Sequence, residues 1–192
     1  MTGLVIIQMS MSLDGFVAGP DDNMEHRLGT HGGSHVFDWL STGSEPYPEG
    51  TFLRTEGANR AIIDELFGRI GAYVSGKRTY DLAEGWGGRH PLNGVPVFIL
   101  THHPDPDPPQ GESKLTFVTD GIESAIAQAK AAANGKDVSL LGASPGQQAL
   151  KAGLVDEILI TIAPILIGDG VRMFENFGER EIELDLVETI GG

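Results

Sequence analysis

Strand-like and helix-like stretches alternate along these 192 residues, which predicts an α/β fold with a mostly parallel central sheet. Two further observations agree. Residues 4–9 and 96–100 are almost uninterrupted apolar runs, the pattern of strands covered on both faces. No internal repeat or shift of composition marks a second unit, so residues 1–192 read as a single domain with a long loop insertion at about 19–57.

The elements follow in order. After strand 4–9, Asp14-Gly15 is a turn signal, and Asp14 reads as a turn former rather than a catalyst. Residues 19–57 hold seven glycines with Pro20, Pro46 and Pro48, and only residues 34–40 look helical. Phe37, Trp39, Tyr47 and Phe52 make this stretch too aromatic for a linker, so it reads as a wall or lid over a ligand site. His31, His35 and Asp38 could meet on one helical turn, but Gly32 and Gly33 spoil that helix, and no metal site is expected. Residues 58–68 place Ile62, Ile63, Leu66 and Phe67 at helical spacing. Strand 72–75 leads through Gly76-Lys77-Arg78 to a short helix from Thr79 to about residue 84, ended by Gly85-Trp86-Gly87-Gly88.

Strand 96–100 runs into Thr101-His102-His103 and a surface loop over 104–111. Strand 115–118 precedes an alanine-rich helix over 121–133, with Asp120 as its N-cap and Glu123 at the capping-box position. Strand 137–141 enters Gly142-Ala143-Ser144-Pro145-Gly146. There Ser144 reads as an N-cap and Pro145 as the first helical residue, which leaves the N–H groups of Gly146 and Gln147 pointing outward. Strand 157–163 ends at Pro164, and residues 181–189 alternate as a half-exposed strand.

Composition narrows the function. Hydrophobic residues make up 40% and charged residues 21%, ordinary for a globular chain, and no run reaches the roughly 18 apolar residues of a membrane span. The first strand has no basic region before it, so a secretory signal is not expected and the protein reads as cytoplasmic. Zero cysteines exclude disulfides, thiolate metal sites and cysteine nucleophiles. A net charge of −14 argues against nucleic acid as a partner but allows one anion in a local basic pocket. Lys77-Arg78 is the only adjacent basic pair, and it sits where a strand becomes a helix, a natural anion site. Residues 71–77 read G-x-x-x-x-G-K, but Arg78 replaces the hydroxyl a P-loop needs for magnesium, so a P-loop NTPase is rejected. Three strand ends carry anion-friendly residues: Gly76-Lys77-Arg78-Thr79, Thr101-His102-His103 and Gly142-Ala143-Ser144. Three such loops at one sheet edge suit a large phosphorylated ligand, a dinucleotide, although no G-x-G-x-x-G occurs.

These pieces resemble the dihydrofolate reductase-like superfamily, specifically the family of the C-terminal reductase domain of the bifunctional riboflavin-biosynthesis enzyme. The matching stretches are Met11-Ser12-Leu13-Asp14-Gly15-Phe16-Val17-Ala18; Val74-Ser75-Gly76-Lys77-Arg78-Thr79-Tyr80; Val97-Phe98-Ile99-Leu100-Thr101; Leu141-Gly142-Ala143; and Gly153-Leu154-Val155-Asp156-Glu157-Ile158, continuing to Gly168-Asp169-Gly170. They fall in the family's order along nearly the whole chain. The resemblance implies a three-layer α/β/α fold and bound NADPH. Lys77, Arg78 and Thr79, after Gly76, would meet its pyrophosphate and adenosine phosphates, and Thr101 and His102 its ribose 2′-phosphate. Gly142, Ala143 and Ser144 would hold the pyrophosphate, and Val17 and Ala18 would flank the nicotinamide. The chain departs from the family in having Gly142-Ala143 where Gly-Gly is usual, and in stopping at Gly192 where the family runs on into another strand.

The function implied is an NADPH-dependent reductase acting on a small heterocycle of pteridine, pyrimidine or riboflavin-precursor type. The alternative is a non-catalytic nucleotide-binding module of the same fold. Asp38 and Asp64 are the candidate proton donors, along with ordered water, and Trp39 and Trp86 are candidates to stack on substrate. The partner expected is a small molecule, with a homodimer open.

Overall fold

The computed structural model describes residues 3–191 apart from 48, 50, 92, 93, 179 and 180. Its strands are β1 (Val5–Ser12), β2 (Phe16–Ala18), β3 (Ile70–Gly76), β4 (Val97–Leu100), β5 (Leu115–Val118), β6 (Asp137–Leu141), β7 (Glu157–Ala163) and β8 (Val171–Arg172). Its helices are α1 (Gly57–Arg69), α2 (Lys77–Leu82), α3 (Ile122–Ala132) and α4 (Ala143–Lys151), with 3₁₀ segments at Gly33–Ser41 and Glu84–Gly88. Six strands form one sheet in the order β5-β4-β3-β6-β1-β7, and every neighbouring pair is parallel. β2 and β8 make a separate antiparallel pair. Among the described residues no helix is long and apolar enough to cross a membrane.

The sheet is covered on both faces, as the apolar runs require. On one side, Ile122, Ala125, Ile126 and Ala129 of α3 and Ala149 of α4 pack on Val5, Ile7, Val74, Val138 and Leu140. The small residues of α3 bring that helix close to the strands. On the other side, Ile63 and Leu66 of α1 pack with Leu53 on Ile70, Tyr73, Val97 and Ile99. The result is a three-layer α/β/α arrangement. Fully burying one such aliphatic side chain contributes about 1.5–3 kcal/mol. At the N-terminal edge of the sheet Arg69 joins three elements: Nε donates to Asp137 Oδ2 at 2.7 Å, Nη1 and Nη2 donate to the Glu157 carboxylate at 3.0 Å each, and Nη1 also reaches Glu65.

Several local expectations change. α2 begins at Lys77 with Gly76 at the N-cap, so Thr79 is its third residue and not its start. α3 is preceded by Gly121 at φ +105°, and no side chain caps it, so Asp120 and Glu123 do not form the capping box. α4 begins at Ala143 behind Gly142, which puts Ser144 and Pro145 inside the helix instead of at its N-cap and first position. The common reason is that an extended or left-handed glycine already turns the chain at each entry, so no side-chain oxygen is recruited to a cap. The stretch after β1 also holds more order than its turn signals imply, because β2 is completed by β8 from far along the chain. Among the described residues, 181–189 form no strand, and Leu186 and Val187 lie exposed. Alternation supplies a strand's two faces but not its partner, and no described strand hydrogen-bonds to this stretch.

Candidate functional site

β4, β3 and β6 are neighbours, so their C-terminal ends open side by side. They open onto one cavity of about 1460 Å³, lined by all three predicted loops: Gly76 to Thr79, Thr101 to His103, and Gly142 to Ser144. Val17 and Ala18 of β2 line it as well. Their position is set by Asp14. Its carboxylate accepts from Ser12 Oγ at 2.6 Å and from the N–H groups of Ile167 and Gly168 at 3.1 and 2.8 Å, which pins the β1–β2 turn to the loop after β7. These hydrogen bonds, led by that from Ser12, hold the Asp14 carboxyl below the usual range.

The tightest wall lies between β3 and β6. Gly142 sits at φ +93°, and a Cβ there would come 2.7 Å from Thr79 Oγ1. Ala143, the departure from Gly-Gly, has no positive φ, and it is buried against the core. Because α4 starts at Ala143, its open donors are the N–H groups of Ala143 and Ser144. Gly146 already donates to the Gly142 carbonyl at 3.4 Å, and Gln147 turns away, with Nε2 donating to the carbonyls of Arg172 and Met173 at 3.1 and 3.2 Å. Gly146 instead packs against Ile7 and Met173. Neither Gly146 nor Gln147 lines the cavity, contrary to expectation.

The basic pair is present but engaged. Arg78 grips Asp22 with both arms of its guanidinium, Nε to Oδ2 at 2.8 Å and Nη2 to Oδ1 at 2.7 Å. Lys77 Nζ lies 2.5 Å from Asp81 Oδ1 one turn along α2. Asp22 therefore fastens the start of the irregular stretch over the phosphate-type loops. No local pattern announces this pair, whose members are 56 positions apart.

The other end of the cavity is apolar and aromatic. Phe37, Trp39, Leu40, Phe52 and Leu53 come from the 19–57 stretch, which supplies the predicted wall. Trp39 is held by its Nε1–H, which donates to Ser10 Oγ at 2.8 Å. Trp86 has φ +52°, uncommon for a bulky residue, and its ring lies 5.1 Å from His90 and 6.3 Å from Tyr80. His90 also lines the cavity, stacks on Tyr73 at 4.0 Å, and is pushed by burial down to about 3, so its ring is neutral. The two candidate acids are elsewhere. Asp38 faces solvent beside His35 Nδ1 at 3.0 Å, and Asp64 accepts from the Tyr47 hydroxyl, and neither lines the cavity. Both lie on the outward face of their helical segment, which spacing alone did not distinguish from the inward face. Gln8, Ser10, Asp22 and His90 line the cavity without having been singled out. The one available signal was in β1, where Gln8, Ser10 and Ser12 interrupt an apolar strand at a spacing of two, which places them on one face.

The family model of the RibD C-terminal domain matches residues 4–192. The structure is similar to that of a putative riboflavin biosynthesis protein from Shewanella sp. PV-4, at 26% identity and TM-score 0.61, covering 94% of this chain and 86% of that one. It is similar in fold to a diaminohydroxyphosphoribosylaminopyrimidine deaminase/5-amino-6-(5-phosphoribosylamino)uracil reductase from Thermotoga maritima, at 13% identity and TM-score 0.51, covering 90% of this chain and 48% of that one. The chain thus spans about half of that bifunctional enzyme. In sequence it is 20% identical over 187 residues to the uncharacterized protein YwjB of Bacillus subtilis, covering 97% of this chain and 91% of that protein. With one family model matching nearly its whole length and the α/β fold of these dihydrofolate reductase-like neighbours, the chain belongs to the RibD C-terminal domain family.

Proposed function

We propose that this protein is an NADPH-dependent reductase that delivers a hydride to a small flat heterocycle of pyrimidine, pteridine or riboflavin-precursor type. The observation that carries the reading is the single cavity, which joins three phosphate-type strand ends to an aromatic wall and has room for a dinucleotide beside a second ring. Family membership and the reductase activity named for the Thermotoga relative support it. The residues present fit such a cofactor. Ala143 and Ser144 offer open N–H groups at the start of a nine-residue helix, Gly142 keeps its turn free of a side chain, and Lys77, Arg78, Thr101 and His102 surround the neighbouring ends.

When bound, the nicotinamide supplies the hydride, and the chain supplies orientation and exclusion of water. Asp14 holds Val17 and Ala18 in place at the cavity, and Phe37, Trp39 and Phe52 dry the substrate end. Asp38 and Asp64 lie outside the cavity, so neither is assigned the proton.

The test is a titration of NADPH and NADH at one ionic strength, followed by NADPH oxidation over a panel of pyrimidines, pteridines and flavin precursors. A 2′-phosphate gains charge-assisted hydrogen bonds, so NADPH is expected to bind about tenfold tighter. Equal affinities refute the placement of the phosphates. Tight binding without turnover on any compound leaves the nucleotide-binding module as the function.

A further inference from the structure

Residues 19–33 fold back on themselves at the rim of the cavity. The Gly19 N–H donates to the Leu28 carbonyl and the Thr30 N–H to the Pro20 carbonyl, each at 2.9 Å, which closes residues 20–29 into a loop on a narrow neck. The neck depends on glycine: Gly29 has φ +91°, and a Cβ there would come 2.4 Å from the Gly19 carbonyl carbon. The tip is braced from within. Asn23 Oδ1 accepts from the N–H groups of Glu25 and His26 at 2.8 and 3.0 Å, and Asn23 Nδ2 donates to the Asp21 carbonyl at 2.7 Å. Yet the tip is barely packed on the protein. Asp21 and residues 23–27 are exposed, and no residue of 20–29 joins a hydrophobic cluster among the described residues. Charge ties it down. Asp22 accepts from Arg78 on α2, and Arg27 Nη2 donates to Glu84 Oε2 at 2.7 Å, at the start of the 3₁₀ segment that follows α2. Asp22, Arg27 and Leu28 all line the cavity. The two pairs have opposite polarity, so a shifted tip would set like charges against each other.

We infer that residues 20–29 are a flap that opens and closes the cavity as one body, turning at its neck and latched shut by the ion pairs Asp22–Arg78 and Arg27–Glu84. A braced loop on a glycine neck moves as a unit, because a change of dihedral at the neck costs less than breaking the hydrogen bonds inside the tip. The latch is weak by construction. Arg27 and Glu84 are 48% and 64% exposed, and exposed pairs contribute little and are screened by salt. Loss of one arm should raise the ratio of open to closed flap by up to about fivefold. A lid held by apolar packing would not loosen with salt. The flap controls access to the cavity whatever ligand fills it, and so stands apart from the reductase reading.

Trp39 and Trp86 are the only tryptophans of the chain, and both line the cavity, so quenching of their fluorescence by acrylamide, a neutral probe, measures access to it. The parent, Arg27→Gln, Glu84→Gln and the double variant Asp22→Asn/Glu84→Gln are compared at low salt and at about 1 M KCl, where charges act over only about 3 Å. The control is Glu65→Gln, which breaks a pair with Arg69 away from the cavity. Both single variants should be quenched more than the parent at an unchanged melting temperature, and the double variant more again. Salt should raise quenching of the parent and leave the double variant, which has no latch to screen, unaffected. Parental quenching in both single variants, a salt response that persists in the double variant, or an equal rise in Glu65→Gln overturns the flap. Bound NADPH should leave Glu84→Gln faster than the parent, by up to the same factor of about five, and an unchanged rate also overturns it. If the parent does not bind NADPH, the reductase reading fails, and the quenching still decides the flap.

Discussion

Gly142→Ala probes the turn on which the proposed phosphate site depends, and its effect divides into two parts. Gly142 has φ +93° and ψ 155°, a region where a residue with a Cβ is strained by about 1–3 kcal/mol. The added methyl also lands 2.7 Å from Thr79 Oγ1 and 3.8 Å from Pro145 Cδ. The Thr79 contact is with the end of a side chain, which can rotate away at about 0.5–1.5 kcal/mol. The sum, about 1.5–4.5 kcal/mol, lowers Tm by roughly 3–18 °C in a chain of this size. Calorimetry gives the total, and Thr79→Ala in the same background divides it. That second change should recover the contact part and leave the backbone part, because the two residues are neighbours and their effects do not simply add. NADPH affinity of the folded variant should fall at least about tenfold, since the methyl crowds the space above the open N–H groups of Ala143 and Ser144. A parental Tm would show that the turn does not hold its positive φ. A lowered Tm with parental NADPH affinity would remove the phosphate from this turn.

Three other outcomes are expected. Asp22→Asn frees the Arg78 guanidinium, so NADPH should bind tighter, though by no more than about fivefold, because an exposed ion pair is worth about 0.2–1 kcal/mol; weaker binding would mean that Asp22 positions Arg78 and does not compete with the ligand. Trp39→Ala should weaken substrate binding and leave NADPH affinity unchanged, and a large NADPH loss in a folded variant would refute this division of the cavity. His90 is neutral in the fold, with its pKa pushed down to about 3, whereas the unfolded chain takes up a proton below about 6.5, so stability should fall as pH drops from about 6.5 toward 3, by at most about 1.4 kcal/mol per pH unit. His90→Phe should flatten that limb in denaturant titrations at pH 4–6, and parallel curves for the two proteins would refute the burial argument.

The alternation of elements, the apolar runs of the inner strands and the three small or basic turns at strand ends were legible from residues alone. Each is a local matter: a glycine's dihedral freedom, a strand's period or a run's hydrophobicity needs no distant partner to be read. The helix entries are just as local but differ from what the hydroxyls and carboxylates near them suggest. At Gly76, Gly121 and Gly142 a glycine already turns the chain, so no side-chain oxygen caps the helix that follows. Tertiary structure decided everything that depends on which face meets which. It ordered the strands β5-β4-β3-β6-β1-β7, so that three separate turns share one cavity. It turned Asp38 and Asp64 outward, brought Asp22 onto Arg78, and buried His90 between Tyr73 and Trp86. It also brought Gln8 and Ser10 of β1 to the cavity wall. Sequence spacing fixes how residues are related along one strand or helix, whereas the direction in which a face points is set by packing against elements far away in the chain.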